Sequence, residues 1–181
     1  MSKAVKNNRR SLLLLIGVFI LPVILAKLAL EYQWFNYGVT NQGALLNQPQ
    51  TLNEKGIKVD LNKQWLLITA LPDNCDERCA FTLSGMDNTY LALGRETHRV
   101  TPIVISATQL SDQYQQIIHQ QSWQHVTQQE HSLSANKVYV VDPLGNIVLT
   151  YDKPTTEQAI PAFGKAMLSD LKKVLKLSRI G

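Results

Sequence analysis

The chain has 181 residues, of which 45% are hydrophobic, so it is long enough to bury a core without disulfide support. Its net charge of +4 comes from the start of the chain, because after residue 30 it carries 13 Lys/Arg against 14 Asp/Glu. This balance argues against a nucleic-acid partner. The sequence also contains no phosphate-binding loop, Ser-His-Asp order or His-Glu-x-x-His run, so nucleotide-binding and hydrolase functions have no support.

Residues 11–30 form a hydrophobic segment, SLLLLIGVFILPVILAKLAL. Its length predicts a transmembrane anchor, and the basic residues of segment 1–10 predict that the N-terminus is cytoplasmic. The alternative is a cleaved signal peptide, which is disfavoured because cleavage after Ala29 would put Lys27 at the −3 position. With either outcome the rest of the chain lies in an oxidising compartment, which we predict to be the periplasm next to the inner membrane.

The stretch 31–60 is predicted to be a linker and N-terminal extension. It leads to Trp65–Ala70, an apolar run typical of a strand buried on both faces. Two cysteines with the spacing C-x-x-x-C follow, and then an apolar helical pattern at Ala80–Leu93. The sequence therefore predicts a strand, a short loop with two thiols, and a helix.

The rest of the chain continues to alternate strands and helices. Strands are predicted at Arg99–Ala107, Lys137–Val141 and Ile147–Tyr151, and helices at Ser111–His119 and Ala159–Leu177. The Gln-rich stretch 113–129 is predicted to be a solvated surface. This order predicts an α/β fold, a thioredoxin-like mixed sheet flanked by helices, over residues 61–181.

Cys75 and Cys79 are the candidate reactive residues. A helix N-terminus favours a thiolate, and three intervening residues allow the two sulfurs to form a disulfide or to bind one soft metal ion. A third alternative is that the two cysteines form a disulfide that only stabilises the fold and takes no part in a reaction. The charges nearby are mostly acidic and oppose thiolate formation; they are Asp73, Asp76 and Glu77 against Arg78.

Several motifs occur together along the chain. They are the N-terminal anchor, Trp65-Leu66-Leu67, Cys75-x-x-x-Cys79, Leu93-Gly94 with Arg99-Val100, Val140-Val141-Asp142-Pro143-Leu144-Gly145-Asn146, and the C-terminal block from Leu168 to Gly181. In these motifs the chain resembles the thioredoxin-like proteins encoded among cytochrome c oxidase assembly genes in proteobacteria, relatives of the Sco/SenC family. The resemblance implies a membrane-anchored thioredoxin fold that acts in the assembly of a copper-haem oxidase.

Sco proteins hold copper with the two cysteines of a CxxxC motif and one histidine from a His-Ser or His-Thr pair. The resemblance therefore implies copper as the cofactor, with Cys75, Cys79 and His131 as its ligands, the last in Glu130-His131-Ser132. Two thiolates and an imidazole suit copper. The gap from His131 to Tyr139 is longer than the Sco pattern, and the alternative for His131 is a surface histidine in a polar loop.

Two function classes follow. In the first, Cys75 and Cys79 bind copper or reduce the cysteines of a partner, which is an oxidase subunit or another assembly factor. In the second, the domain is a non-catalytic scaffold with a structural disulfide. Thioredoxin-like oxidoreductases generally use C-x-x-C and a cis-proline facing it, whereas this chain has Ser134-Ala135-Asn136 there. An assembly factor or metallochaperone is therefore favoured over a general oxidoreductase.

Overall fold

The computed structural model describes residues 2–32, 40–73, 75–120 and 123–180, and the chain divides into two compact units after Thr40. The first unit contains helix α1, Ser2–Glu31. Its part Arg9–Glu31 is, among the described residues, the one helix long and apolar enough to cross a membrane. This is the segment in which the sequence predicts an anchor.

The described residues of the second unit form a six-stranded mixed sheet with the order β1–β6–β5–β2–β3–β4. The strands are β1 Ala44–Thr51, β2 Trp65–Leu71, β3 Val100–Ser106, β4 Gln124–Thr127, β5 Lys137–Val141 and β6 Asn146–Asp152. The α-helices are α2 Glu77–Ala92, α3 Asp112–Gln120 and α4 Ile160–Leu177, and short 3-10 helices cover Gly94–Arg99 and Glu157–Ala159. A mixed sheet flanked by helices confirms the predicted fold class.

Strand β2 lies at the centre of the sheet, and all seven of its residues are buried. It pairs with β3 in parallel and with β5 in antiparallel orientation. Because successive side chains of a strand point to opposite faces, β2 contributes to two separate cores. Leu67 packs in the core that includes side chains of the three helices, and Ile68 packs in the opposite core, which is completed by the segment between β1 and β2.

Helices α2 and α4 approach closely because Gly85 has no side chain. A Cβ atom at Gly85 would lie 2.6 Å from the Phe163 ring of α4. Thr89 also joins the helices, since its hydroxyl donates to the carbonyl oxygens of Gly85 and Gly164, at 2.7 and 3.2 Å. This contact fixes α2, the helix that follows the two cysteines.

Strands β1 and β4 were not predicted. Strand β1 lies in the stretch 31–60 that the sequence assigned to a linker and extension, and it pairs with the edge of β6. Its polar side chains and Pro49 hide the alternation that predicts a strand. Strand β4 lies within the Gln-rich stretch 113–129, where Trp123 is also buried, so the prediction of a solvated surface is wrong there.

A fully buried carboxylate, Asp170 of α4, ties the first residues of the second unit to the sheet. Its Oδ2 atom accepts hydrogen bonds from the backbone N–H groups of Gln42 and Gly43, both at 2.8 Å, and from the Tyr151 hydroxyl at 3.0 Å. Burial and the charge of Asp170 raise the pKa of Tyr151, so this hydroxyl keeps its proton. Lys173 lies 3.2 Å from the other carboxylate oxygen.

Arg99 plays a similar part at the end of the chain. Its guanidinium donates to the carbonyl oxygens of Leu175 and Ser178, both at 2.9 Å, and pairs with Glu96 at 2.9 Å. These bonds satisfy carbonyl groups that the end of helix α4 leaves without helical partners. The motif at Arg99 and the C-terminal block, which are far apart in sequence, are therefore parts of one structural contact.

We expect the substitution Asp170→Ala to destabilise the second unit by about 3 kcal/mol, because it leaves two buried donors, the Gly43 N–H and the Tyr151 hydroxyl, and the part-buried Gln42 N–H unpaired. Urea denaturation of the full chain in detergent would measure this loss. Asp152→Ala is the matched control: Asp152 forms an exposed ion pair with Lys137 and should change stability little. Equal stability losses in the two variants would contradict the structural role of Asp170.

Candidate functional site

The two cysteines lie on either side of the start of helix α2, just beyond the end of β2. Asp76 is the N-cap of the helix, and its Oδ1 accepts a hydrogen bond from the Arg78 N–H at 3.0 Å. The Arg78 guanidinium lies 2.8 Å from Asp76 Oδ2, and this bond lowers the pKa of the Asp76 carboxyl. Asn74 lies outside the described residues.

Cys75 and Cys79 form a disulfide, with their Cα atoms 5.6 Å apart. The two sulfurs differ in their surroundings. Cys79 is 4% exposed and packs in the core beneath α2, whereas Cys75 is half-buried at its margin. A thiolate from another molecule can therefore approach Cys75 more easily, and opening the bond there leaves the negative charge on the buried Cys79.

A cavity of about 470 Å³ opens beside Cys79. Its walls come from the end of β2, the first turn of α2, the loop before β5 and the turn after β6; they include Pro72, Asp76, Arg78, Cys79, Asn136 and Lys153. The loop before β5 is the one in which the sequence has Ser134-Ala135-Asn136 in place of a proline. The disulfide thus lies against a surface pocket built from four separate parts of the chain.

Sequence analysis missed Lys153, which lies in this cavity. Its backbone N–H donates to the Asn136 carbonyl at 3.0 Å, and its Nζ donates to the Ala70 carbonyl of β2 at 2.6 Å. Burial lowers the pKa of Lys153 from 10.5 to about 8, a shift that the charge of Asp76 partly opposes. The sequence Asp-Lys-Pro at this position is typical of an exposed turn, so it gave no signal of a buried amine.

His131 lies elsewhere, on a surface cavity of about 780 Å³ that is also lined by Lys55, Gly56 and Ser132. Its Nδ1 accepts a hydrogen bond from the Leu133 N–H at 3.3 Å, and the Ser132 N–H donates to the Lys55 carbonyl at 3.0 Å. One of the two ring nitrogens of His131 is therefore already engaged by the backbone of its own loop.

The three predicted copper ligands are therefore not brought together in this arrangement. Cys75 and Cys79 are joined to each other, and His131 lines a different cavity. Across the described residues, no group of three or more His, Cys, Asp and Glu side chains is arranged to hold a metal ion. The disulfide does not fit copper as it stands, because its sulfurs are bonded to each other, and the three-ligand copper site stays a prediction.

Comparison with known proteins identifies the family. The model of the family described as "Transmembrane-like, thioredoxin-like, C-terminal domain" matches residues 65–178. The chain belongs to this family. The matched region runs from strand β2 to the end of helix α4, and so includes the disulfide and its cavity. No curated protein matches the sequence.

Three solved structures can be compared with this chain, all at low sequence identity. The apo Sco1 protein of Thermus thermophilus is 16% identical, with a TM-score of 0.53 over 77% of this chain and 99% of that one. Yeast Sco1 is 14% identical, with a TM-score of 0.49 over 64% and 81%. The thioredoxin domain of a thiol-disulfide oxidoreductase from Bacteroides vulgatus is 17% identical, with a TM-score of 0.46 over 73% and 96%. The match to the Thermus thermophilus protein confirms the resemblance to Sco proteins at the level of the fold.

We expect the stability of the oxidised protein to rise between pH 8 and pH 10, in a way that depends on Lys153. In this range the Lys153 amine is still protonated in the unfolded chain, where its pKa is the ordinary 10.5. In the folded chain its pKa is about 8, so the amine loses its proton there first. Urea denaturation at pH 8, 9 and 10 would measure the rise, and Lys153→Met should flatten it. A rise of equal size in the variant would contradict the assignment.

We also expect His131→Ala to leave the affinity of the reduced protein for Cu(I) unchanged, because His131 lies in a different cavity from the cysteines. Anaerobic titration against a competing chelator would measure the affinity, with Cys75→Ser/Cys79→Ser as the variant that loses any thiolate site. His98→Ala is the matched control, since His98 is a histidine of the 3-10 helix. A tenfold weakening by His131→Ala alone would show that the loop rearranges to deliver His131 to the metal.

Proposed function

We propose that this protein is a membrane-anchored factor that exchanges thiols and disulfides with the cysteines of a partner during the assembly of cytochrome c oxidase. The observation that carries the proposal is the Cys75–Cys79 disulfide, with one half-buried and one buried sulfur beside a cavity. The assignment to oxidase assembly rests on the sequence resemblance to the Sco/SenC relatives. The family match and the shared fold support that resemblance.

The reaction needs only the two cysteines of this chain and a disulfide of the partner. The Cys75 thiolate attacks one partner sulfur, the partner S–S bond breaks, and its other sulfur leaves as a thiolate that takes a proton from water. Cys79 then attacks Cys75 Sγ and releases the first partner sulfur, which gives the disulfide seen in the structure. Two electrons have passed to the partner, and a dithiol reductant in the same compartment must reduce the pair again.

Reduction of this kind suits a partner that binds copper through cysteines. Only a thiolate coordinates the metal, and an oxidising compartment converts neighbouring thiols into disulfides. We propose that the partner is an oxidase subunit or another assembly factor. The anchor in α1 would keep the domain beside it on the periplasmic side of the inner membrane, which raises the effective concentration of the two proteins.

One observation favours the alternative, a scaffold with a structural disulfide. The Asp76 carboxylate already accepts a hydrogen bond from a backbone N–H group at the start of α2, and it brings a negative charge beside the cysteines. Both effects oppose the formation of a thiolate. The two functions differ in whether oxidase assembly needs the sulfur atoms or only the folded domain.

We expect Cys79→Ser to accumulate in cells as a mixed disulfide with its partner. The accessible Cys75 can still attack the partner, but no second thiol is present to release it. Non-reducing electrophoresis followed by mass spectrometry would detect and identify the complex. Cys75→Ser is the matched control and should trap far less, because Cys79 is buried.

Oxidase activity in membranes from the same strains separates the two functions. Thiol exchange predicts that Cys75→Ser/Cys79→Ser abolishes most of the activity while the protein remains folded and anchored. Normal activity in this double variant, together with loss of activity on deletion of the chain, would leave the scaffold as the function. If the trapped partner is unrelated to the oxidase, thiol–disulfide exchange is supported but the role in oxidase assembly is overturned.

A further inference from the structure

Lys153 is placed beside the disulfide by two parts of the fold. Strand β6 ends at Asp152, and the next residue is held by its backbone bond to Asn136, so its side chain enters the cavity that Cys79 also lines. The amine reaches the Ala70 carbonyl in β2, at the end of the strand where the thiol loop begins. The side chain of Lys153 is half-buried, and a desolvated amine is costly unless its charge is compensated.

We propose that Lys153 is a positioning residue for thiol–disulfide exchange, whose positive charge stabilises the Cys79 thiolate that forms when the Cys75–Cys79 disulfide opens. The inference rests on the proposed function, and it identifies Lys153 as a residue that controls thiol–disulfide exchange.

The need for such a charge follows from the position of Cys79. When a thiolate attacks Cys75 Sγ, a new S–S bond forms there, the Cys75–Cys79 bond breaks, and its electron pair goes to Cys79 Sγ. Cys79 is only 4% exposed, so few water molecules can solvate the charge. An ion created in such a site is costly unless an opposite charge lies close by.

The other charged groups around the cavity already have partners. Asp76 and Arg78 of α2 pair with each other at 2.8 Å, and Asp152 pairs with Lys137 at 2.8 Å. Lys153 forms no ion pair with any described carboxylate, and its Nζ donates its hydrogen bond to the uncharged carbonyl of Ala70. An ammonium group has three N–H donors, so two remain for an anion inside the cavity.

The protonation of Lys153 fits this role. Its pKa of about 8 keeps most of the amine charged at neutral pH, although burial favours the neutral form. The negative charge of Asp76 supports the protonated state. A thiolate at Cys79 would support it further, since opposite charges in a partly desolvated cavity stabilise each other.

Lys153→Gln tests the inference in the full chain in detergent, because glutamine retains an N–H donor for the Ala70 carbonyl but removes the charge. We expect the equilibrium of the cysteine pair with reduced and oxidised glutathione to shift about tenfold toward the disulfide. The rate of reduction by dithiothreitol should fall by a similar factor. Lys153→Arg keeps the charge and should retain most of the original glutathione equilibrium and reduction rate. Lys137→Gln removes a surface lysine near the same cavity and should behave like the unmodified protein.

Two results would overturn the inference. One is a Lys153→Gln protein, folded by circular dichroism, whose glutathione equilibrium and reduction rate stay within about twofold of the original. The other is a Lys153→Arg protein that is as impaired as Lys153→Gln, which would assign the effect to packing instead of charge. Failure of the proposed function is distinguishable, because it shows as the absence of a partner trapped by Cys79→Ser, whereas the glutathione equilibrium needs no partner.

Discussion

Strand β2 is hydrogen-bonded to β3 on one side and to β5 on the other, and its side chains are buried on both faces of the sheet. Its backbone cannot shift without breaking both pairings and both cores. The thiol loop leaves the sheet at the end of this strand, and helix α2 begins a few residues later against α4. The positions of Cys75, in the loop, and Cys79, in the first turn of α2, therefore depend on the most constrained element of the fold.

The chemistry of the site follows from unequal burial. In the exchange that we propose, the partner reacts at the half-buried Cys75 and the charge is left on Cys79 inside the core. The same strand that supports the loop also supplies the Ala70 carbonyl that holds Lys153 beside it. One element thus positions the attacking sulfur, the buried leaving group and the cation that we propose to stabilise it.

Sequence patterns were most informative where burial imposes a regular period. The apolar run at β2, the helical patterns of α2 and α4 and the hairpin of β5 and β6 were predicted to within a few residues. Edge strands β1 and β4 were missed, because their partners contact them mainly through backbone hydrogen bonds and their side chains remain partly in water. Lys153 was missed for the opposite reason, since its own sequence context is that of a turn and its burial comes from distant segments.

By itself the sequence determined the fold class, the candidate membrane helix and the placement of the two cysteines between strand β2 and helix α2. These are local properties, set by the length and period of apolar runs and by a spacing of three residues. Only the tertiary structure decided which sulfur is accessible, that His131 lies away from the cysteines and that Lys153 lies beside Cys79. Those relations join residues that are distant in the chain, and they arise only when the strands take their order and the loops between them close against the sheet.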